Sequence, residues 1–226
     1  MKYDWLLFDA DNTLLDFNQA QRHALKESLT EIGVIFRPEH DQIYDRINRS
    51  CWRAYEDGKL TKAMLRYRRF QLFFMEIGLK EDPASFSETY LVHLSQSTAM
   101  VEGALDLLNR LRHTYQLALV TNGIKEVQRS RLALSGLGDY FSYIAISDEI
   151  GVAKPDTAFF YHVFEGLSHP SKERTLIIGD NLNADIRGGL DFGIDACWFN
   201  YDRRERYLEV APTYEITHLT DLYSFL

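Results

Sequence analysis

From Trp5 to Phe8 the chain is apolar without a break, and the run stops at Asp9-Ala10-Asp11. Short uninterrupted runs of large apolar residues suit strands covered on both faces. The signature returns at Gln116–Val120, Tyr143–Ile146, Thr175–Ile178 and Ala196–Phe199. Between these runs apolar positions recur at helical spacing, which predicts helices over Ala104–Arg112, Lys125–Ser135, Ala158–Gly166 and Asn183–Phe192, with a last one near Leu219–Phe225. Strands alternating with helices imply an α/β fold, a doubly wound parallel sheet with right-handed crossovers.

One stretch breaks the alternation. Asp9 and Thr121, at the ends of the first two predicted strands, lie more than a hundred residues apart, whereas a βαβ unit needs only about 30. From about Asn18 to Ser97 strand patterns vanish and four helices are predicted. They run over Gln19–Ile32, from about Glu39 to near Gly58, from just after Thr61 to Gly78, and from near Pro83 to about Ser97. The block reads as a domain inserted after the first strand, which gives a core of residues 1–16 and 102–226 and a four-helix domain of residues 17–101.

Composition narrows the partners. At 226 residues with 46% hydrophobic positions the chain can bury a core without disulfides. A formal net charge of -8 and a pI of about 5.4 argue against a nonspecific grip on nucleic acid or an anionic membrane. Cys51 and Cys197 fall in different predicted domains and read as reduced packing residues. The Trp5–Phe8 run is too short for a signal peptide, and no stretch is long enough to span a bilayer. A cytoplasmic protein is expected, monomeric or weakly dimeric.

The carboxylates then acquire meaning. Asp9 and Asp11 are two apart, so on an extended backbone they would share a face and repel unless a cation intervenes. Oxygen ligands without nearby Cys or His point to Mg²⁺. D-x-D followed by Asn12-Thr13 also reads as a strand-end cap and turn, so the weight rests on what the other strands carry. Ligands of open α/β sheets gather at the carboxyl ends of the strands. There the chain places Thr121-Asn122-Gly123 after the second strand, Lys154-Pro155 after the third, and Gly179-Asp180 after the fourth, with Asp185 just beyond. A phosphate ester makes chemical sense of all of them. Asp9 suits a nucleophile on phosphorus, and Asp11 an acid and then a base. Asp180 would complete the metal site with Asp185 supporting it. Thr121, the backbone N–H groups of Asn122 and Gly123, and Lys154 would meet the phosphoryl oxygens.

These motifs, in this order, resemble those of the haloacid dehalogenase superfamily of phosphohydrolases, and the helical insertion is similar to that family's cap of the first type. The resemblance implies a Rossmann-like core, Mg²⁺ and an aspartyl-phosphate intermediate, with the backbone carbonyl of Asp11 rather than its side chain on the metal. Trp5–Asp11, Gly151–Pro155, Cys197–Asn200 and Ala211–Thr213 are further similar to bacterial pyrimidine 5′-nucleotidases. The implied partner is a small phosphorylated metabolite, a nucleoside monophosphate first among them. Sugar phosphates, phosphoglycolate and phosphomutase chemistry stand as alternatives. Carbon–halogen hydrolysis has no leaving oxygen to protonate, and Asp11 speaks against it. In the helical domain Phe17, Trp52 and Tyr55 are candidates for stacking on a base, whereas Phe70, Phe73 and Phe74, at helical spacing, read as core.

Overall fold

The first apolar run forms strand β1, Trp5–Phe8, with Leu6, Leu7 and Phe8 fully buried. The computed structural model describes residues 2–206 and 209–226. The chain divides into two units, residues up to Phe17 together with Thr98–Leu226, and Asn18–Ser97. Within the first unit the segments on either side of the insertion are tied together. Val101 N donates to Leu14 O and Asp16 N to Ala99 O, both at 2.9 Å, and Leu15 bridges Met100 in antiparallel fashion.

The insertion begins with α1 (Phe17–Glu31) and α2 (Pro38–Glu56), and continues with α3 (Lys62–Ile77) and α4 (Pro83–Ser95). The local sequence fixes these limits. The Thr61 side chain accepts from Met64 N at 3.2 Å to open α3, and Gly78 at φ 70° closes it. Asp82 accepts from Ala84 N and Ser85 N to open α4, with Pro83 in the first turn. An aromatic cluster forms the core of this unit: Tyr44 stacks on Phe70 at 5.3 Å, and Phe70 and Phe74 meet Tyr90 and Phe86 edge-on at 5.0 and 4.9 Å. Phe70, Phe73 and Phe74 are thus packing residues, as their spacing predicts.

The chain returns through α5 (Ala104–Leu111), β2 (Gln116–Thr121), α6 (Lys125–Ser135), β3 (Tyr143–Ile146), the short α7 (Ser147–Ile150) and α8 (Thr157–Gly166). After β4 (Thr175–Gly179) a π-helical turn over Leu182–Arg187 leads into α9 (Gly188–Phe192), followed by β5 (Asp195–Phe199) and β6 (Tyr214–Ile216). All pairings are parallel in the order β3-β2-β1-β4-β5-β6, so the strand order reverses beside β1. Successive side chains feed opposite layers. Leu6, Phe8, Leu117, Leu119, Leu176 and Ile178 pack against α5, while Leu7, Ala118, Val120 and Ile177 pack against α8. Two-sided burial is the reason these strands read as unbroken apolar runs.

Besides the short α7, which the sequence does not predict, three features differ from the sequence expectation. The predicted helix over Asn183–Phe192 opens as a π turn, the last predicted helix is a 3₁₀ segment over Leu219–Ser224, and β6 had not been expected. Three residues, one of them an exposed Glu215, carry too little periodicity to mark a strand.

Candidate active site

Register places the chemistry on one rim. Phe8 lies between Leu119 of β2 and Ile178 of β4, so Asp9, Thr121 and Asp180 leave the sheet at nearly one level. Asp9 N is held by Ile178 O at 2.9 Å. Asp180 follows the last residue of β4, with its carbonyl accepting from Trp198 Nε1 at 2.9 Å. Asp185 sits in the π turn, whose start is capped by Asn181 Oδ1 accepting from Asn183 N and Ala184 N, each at 3.0 Å. Asp185 Oδ2 accepts from Asn181 N at 3.0 Å, which folds its carboxylate back over Gly179. A Cβ on Gly179 would collide with that carboxylate, so only glycine lets the strand end and Asp185 come this close.

The three carboxylates converge: Asp9, Asp180 and Asp185 each offer an oxygen within 4.8 Å of the others. Lys154, from the loop between α7 and α8, enters from below. Its ammonium donates to Asp9 Oδ1 at 2.7 Å, Asp185 Oδ1 at 2.6 Å and Val120 O at 2.7 Å, and the side chain is 1% exposed. All three donors therefore meet protein oxygens, and Lys154 is aimed at the carboxylates from beneath. Asn122 anchors it: Asn122 Oδ1 accepts from Lys154 N at 2.9 Å and Nδ2 donates to Lys154 O at 2.8 Å. Gly123 N donates to Thr121 Oγ1 at 3.1 Å, closing a tight turn at the end of β2.

Charge here is out of balance. Burial pushes Asp9 well above the usual carboxylate range, and nearby Asp185 and Asp180 add to this against the pull of Lys154. Burial first, then Asp185, raises Asp180 to about 7, with Arg204 and Lys154 opposing. Burial alone would lower the Lys154 ammonium, but Asp185 and Asp9 hold it above the ordinary lysine value. Three carboxylates against Lys154 and the partly exposed Arg204 leave negative charge that a hard divalent cation would neutralise. An all-oxygen donor set at this spacing fits Mg²⁺.

Asp11 lies just past the end of β1, before Asn12 at a left-handed φ of 60°, and its carboxylate is taken up by α6. Arg131 Nη1 pairs with Asp11 Oδ1 at 2.5 Å, and Gln128 Nε2 donates to Asp11 Oδ2 at 3.0 Å and to Thr121 Oγ1 at 2.9 Å. Sequence reasoning missed Gln128 and Arg131. The available signal was their position, polar residues three apart on the α6 face that also buries Val127 and Leu132. It also missed Arg204, whose guanidinium donates to Asp180 O at 3.0 Å and Oδ2 at 3.2 Å.

The aromatic candidates are dispersed between the units. Phe17 opens α1 with its ring 6.0 Å from the Arg131 guanidinium. Trp52 and Tyr55 belong to α2, edge to face at 5.8 Å, with Lys62 Nζ over both rings at 5.0 and 4.4 Å.

A doubly wound sheet with an acidic cluster at its switch point is a setting in which a hard cation can be held against a substrate. Residues 6–199 match the family model described as haloacid dehalogenase-like hydrolase, and the chain belongs to that family as one of its phosphatases. It is 39% identical to pyrimidine 5′-nucleotidase PynA of Streptococcus pneumoniae, over 98% of this chain and 94% of that one. It is 33% identical to pyrimidine 5′-nucleotidase YjjG of Escherichia coli, over 100% and 99%. Among solved structures it matches HAD-hydrolase YfnB of Bacillus subtilis, crystallised with magnesium, at a TM-score of 0.95 and 38% identity over 100% and 99% of the two chains.

Proposed function

We propose that the chain is a cytoplasmic, Mg²⁺-dependent phosphomonoesterase that works through an aspartyl-phosphate on Asp9 and acts on nucleoside monophosphates with a pyrimidine base. The observation that carries the reading is the convergence of Asp9, Asp180 and Asp185 over Lys154. Mg²⁺ held by those three carboxylates would supply positive charge to the phosphoryl oxygens.

The chain's own groups supply the rest. Lys154 ties Asp9 Oδ1 and so leaves Oδ2 for attack on phosphorus. As the new O–P bond forms, the P–O bond to the ester oxygen breaks and that oxygen takes a proton from Asp11. Water then attacks the aspartyl-phosphate and gives its proton to Asp11, releasing inorganic phosphate and restoring the Asp9 carboxylate. Thr121, Asn122 and Gly123 would line the phosphate position, and Asp180 and Asp185 would hold the metal. The substrate assignment rests on the two nucleotidase relatives, each matched along nearly its whole length. Phe17, Trp52 and Tyr55 are the candidates for contact with the base.

The test is a phosphate-release screen over nucleoside monophosphates, sugar phosphates and phosphoglycolate, with Mg²⁺ or with chelator. Pyrimidine monophosphates should be fastest, and chelator should abolish release. A sugar phosphate or phosphoglycolate turned over faster would replace the substrate, and release only with an added bisphosphate would make the enzyme a mutase.

A further inference from the structure

In the proposed cycle Asp11 delivers a proton to the leaving oxygen, and its carboxylate must be aimed to do so. Asp11 sits just past the end of β1, next to the left-handed Asn12, with its side chain 26% exposed. An unrestrained carboxylate there could rotate freely about its side-chain torsions. In the structure both of its oxygens are engaged by α6. Arg131 is fully buried and meets Oδ1, and Gln128, also fully buried, meets Oδ2. Residues three apart share a helix face, so one rigid element presents both groups. Gln128 simultaneously grips Thr121 Oγ1, and its Oε1 lies 3.4 Å from Arg131 Nη1. The helix thereby locks the acid to the hydroxyl at the end of β2.

We infer that Arg131 and Gln128 are positioning residues for proton transfer by Asp11, a role that rests on the phosphomonoesterase reading of the site. Arg131 has only donors, and it can hold Oδ1 whether Asp11 is ionised or protonated. Gln128 adds a lighter hold on Oδ2 from a neutral amide whose orientation is fixed by Thr121 Oγ1 on one side and Arg131 Nη1 on the other. Oδ1, held by the charged donor, is thus the firmly fixed oxygen, and Oδ2 has only a neutral donor on it. Neither Arg131 nor Gln128 touches the reacting phosphorus in this scheme.

The experiment exploits the leaving group. p-Nitrophenolate departs from phosphorus with little help from a proton, whereas the alkoxide of a nucleoside needs one. The quantity to compare is kcat/KM, which counts only the steps up to leaving-group departure, so the later role of Asp11 as base does not enter. Asp11→Asn, Arg131→Gln, Arg131→Lys and Gln128→Met are each assayed with uridine monophosphate and p-nitrophenyl phosphate, with circular dichroism as the check on folding. Arg131→Gln should lower the nucleotide-to-aryl ratio of kcat/KM at least about tenfold, within the range that general acid catalysis supplies. Arg131→Lys should recover part of the ratio, and Gln128→Met should lower it in the same direction by less.

Equal losses on both esters, or no loss on either, would overturn the inference and leave Arg131 a packing residue. If Arg131→Gln does not fold, Gln128→Met and Arg131→Lys still decide: an unchanged ratio in both overturns it. Asp11→Asn separates the two levels. A selective loss in Asp11→Asn without one in the α6 variants removes the positioning role alone, whereas no selective loss in Asp11→Asn removes the acid itself.

Discussion

The two units of this protein both bury cations, and they dispose of them differently. In the core unit Lys154 stands against Asp9 and Asp185, and Arg131 against Asp11. In the helical unit Arg69, 1% exposed, meets no carboxylate among the described residues. It donates to Asn48 Oδ1 at 3.1 Å and lies 4.9 and 5.1 Å from the rings of Phe70 and Tyr90. Asn48 passes the bond to Gln21 at 2.6 Å, and Gln21 reaches Asp45 at 3.3 Å. The charge of Arg69 is thus relayed through two amides to a carboxylate nearer the surface and spread over aromatic faces. Arg69 Nε and Nη2 find no hydrogen-bond partner among the described residues, and Asp45 is shared with Arg49, so the buried charge left in the helical unit is positive. The core unit, with three converging acids against Lys154 and the partly exposed Arg204, is still left with negative charge, and that surplus marks the place where a cation and a phosphate ester belong. A buried ion by itself says little about function, whereas the sign left after pairing says a good deal.

The largest effect should come from Asp9. Asp9→Asn keeps the shape of the side chain and removes the attacking oxygen's charge. Turnover of p-nitrophenyl phosphate should fall by at least about a thousandfold while circular dichroism and thermal unfolding stay native-like. Surviving turnover would take the nucleophile role from Asp9.

A paired substitution sharpens the contrast between the units. Lys154→Met strands two buried carboxylates and should cost about 3–5 kcal/mol in chemical denaturation. Added Mg²⁺ should return more stability to this variant than to the parent, because the metal replaces the missing positive charge. Phe70→Ala, at the fully buried centre of the helical unit, should cost about as much through its cavity. Its gain from Mg²⁺ should match the parent's. If the two variants responded to Mg²⁺ alike, the acid surplus would not be confined to the core unit.

The smallest effect is the pH dependence of stability. Asp180 in the folded metal-free protein holds its proton up to about pH 7, against an ordinary value of 3.8. Asp9 is raised in the same direction. Between those limits the unfolded chain binds fewer protons than the folded one, so stability in chelator should decline as pH rises from about 4 through 7. Saturating Mg²⁺ should oppose the decline, and Asp180→Asn should flatten it. Melting temperatures in chelator that climb across this window, relative to Asp180→Asn, would contradict the surplus of acid.

Much of this was written in the pattern of the chain. β1 and β3 fall on their apolar runs, and β2, β4 and β5 differ from theirs by one residue at an end. The caps at Thr61 and Asp82 and the stop at Gly78 mark the helices of the insertion. Asp9, Asp180 and Lys154 could be named because strand ends on a parallel sheet share a rim, and a carboxylate at the end of an apolar run is a local anomaly. What the pattern could not supply were the residues that reach the site from the middle of an element. Gln128 and Arg131 lie inside a helix with ordinary composition, and Arg204 lies in a loop.

The sequence by itself determined the layered sheet, the inserted helices and the acids at the strand ends. Burial periodicity and chain-stop chemistry are local properties that a short window of residues already contains. Tertiary structure alone decided which charge faces which. It turned Lys154 toward Asp9 and Asp185, drew Asp185 against Gly179, and gave the carboxylate of Asp11 to α6. Coulomb energy and desolvation depend on distances across the fold, and those distances exist only once the strands have paired and the helices have packed.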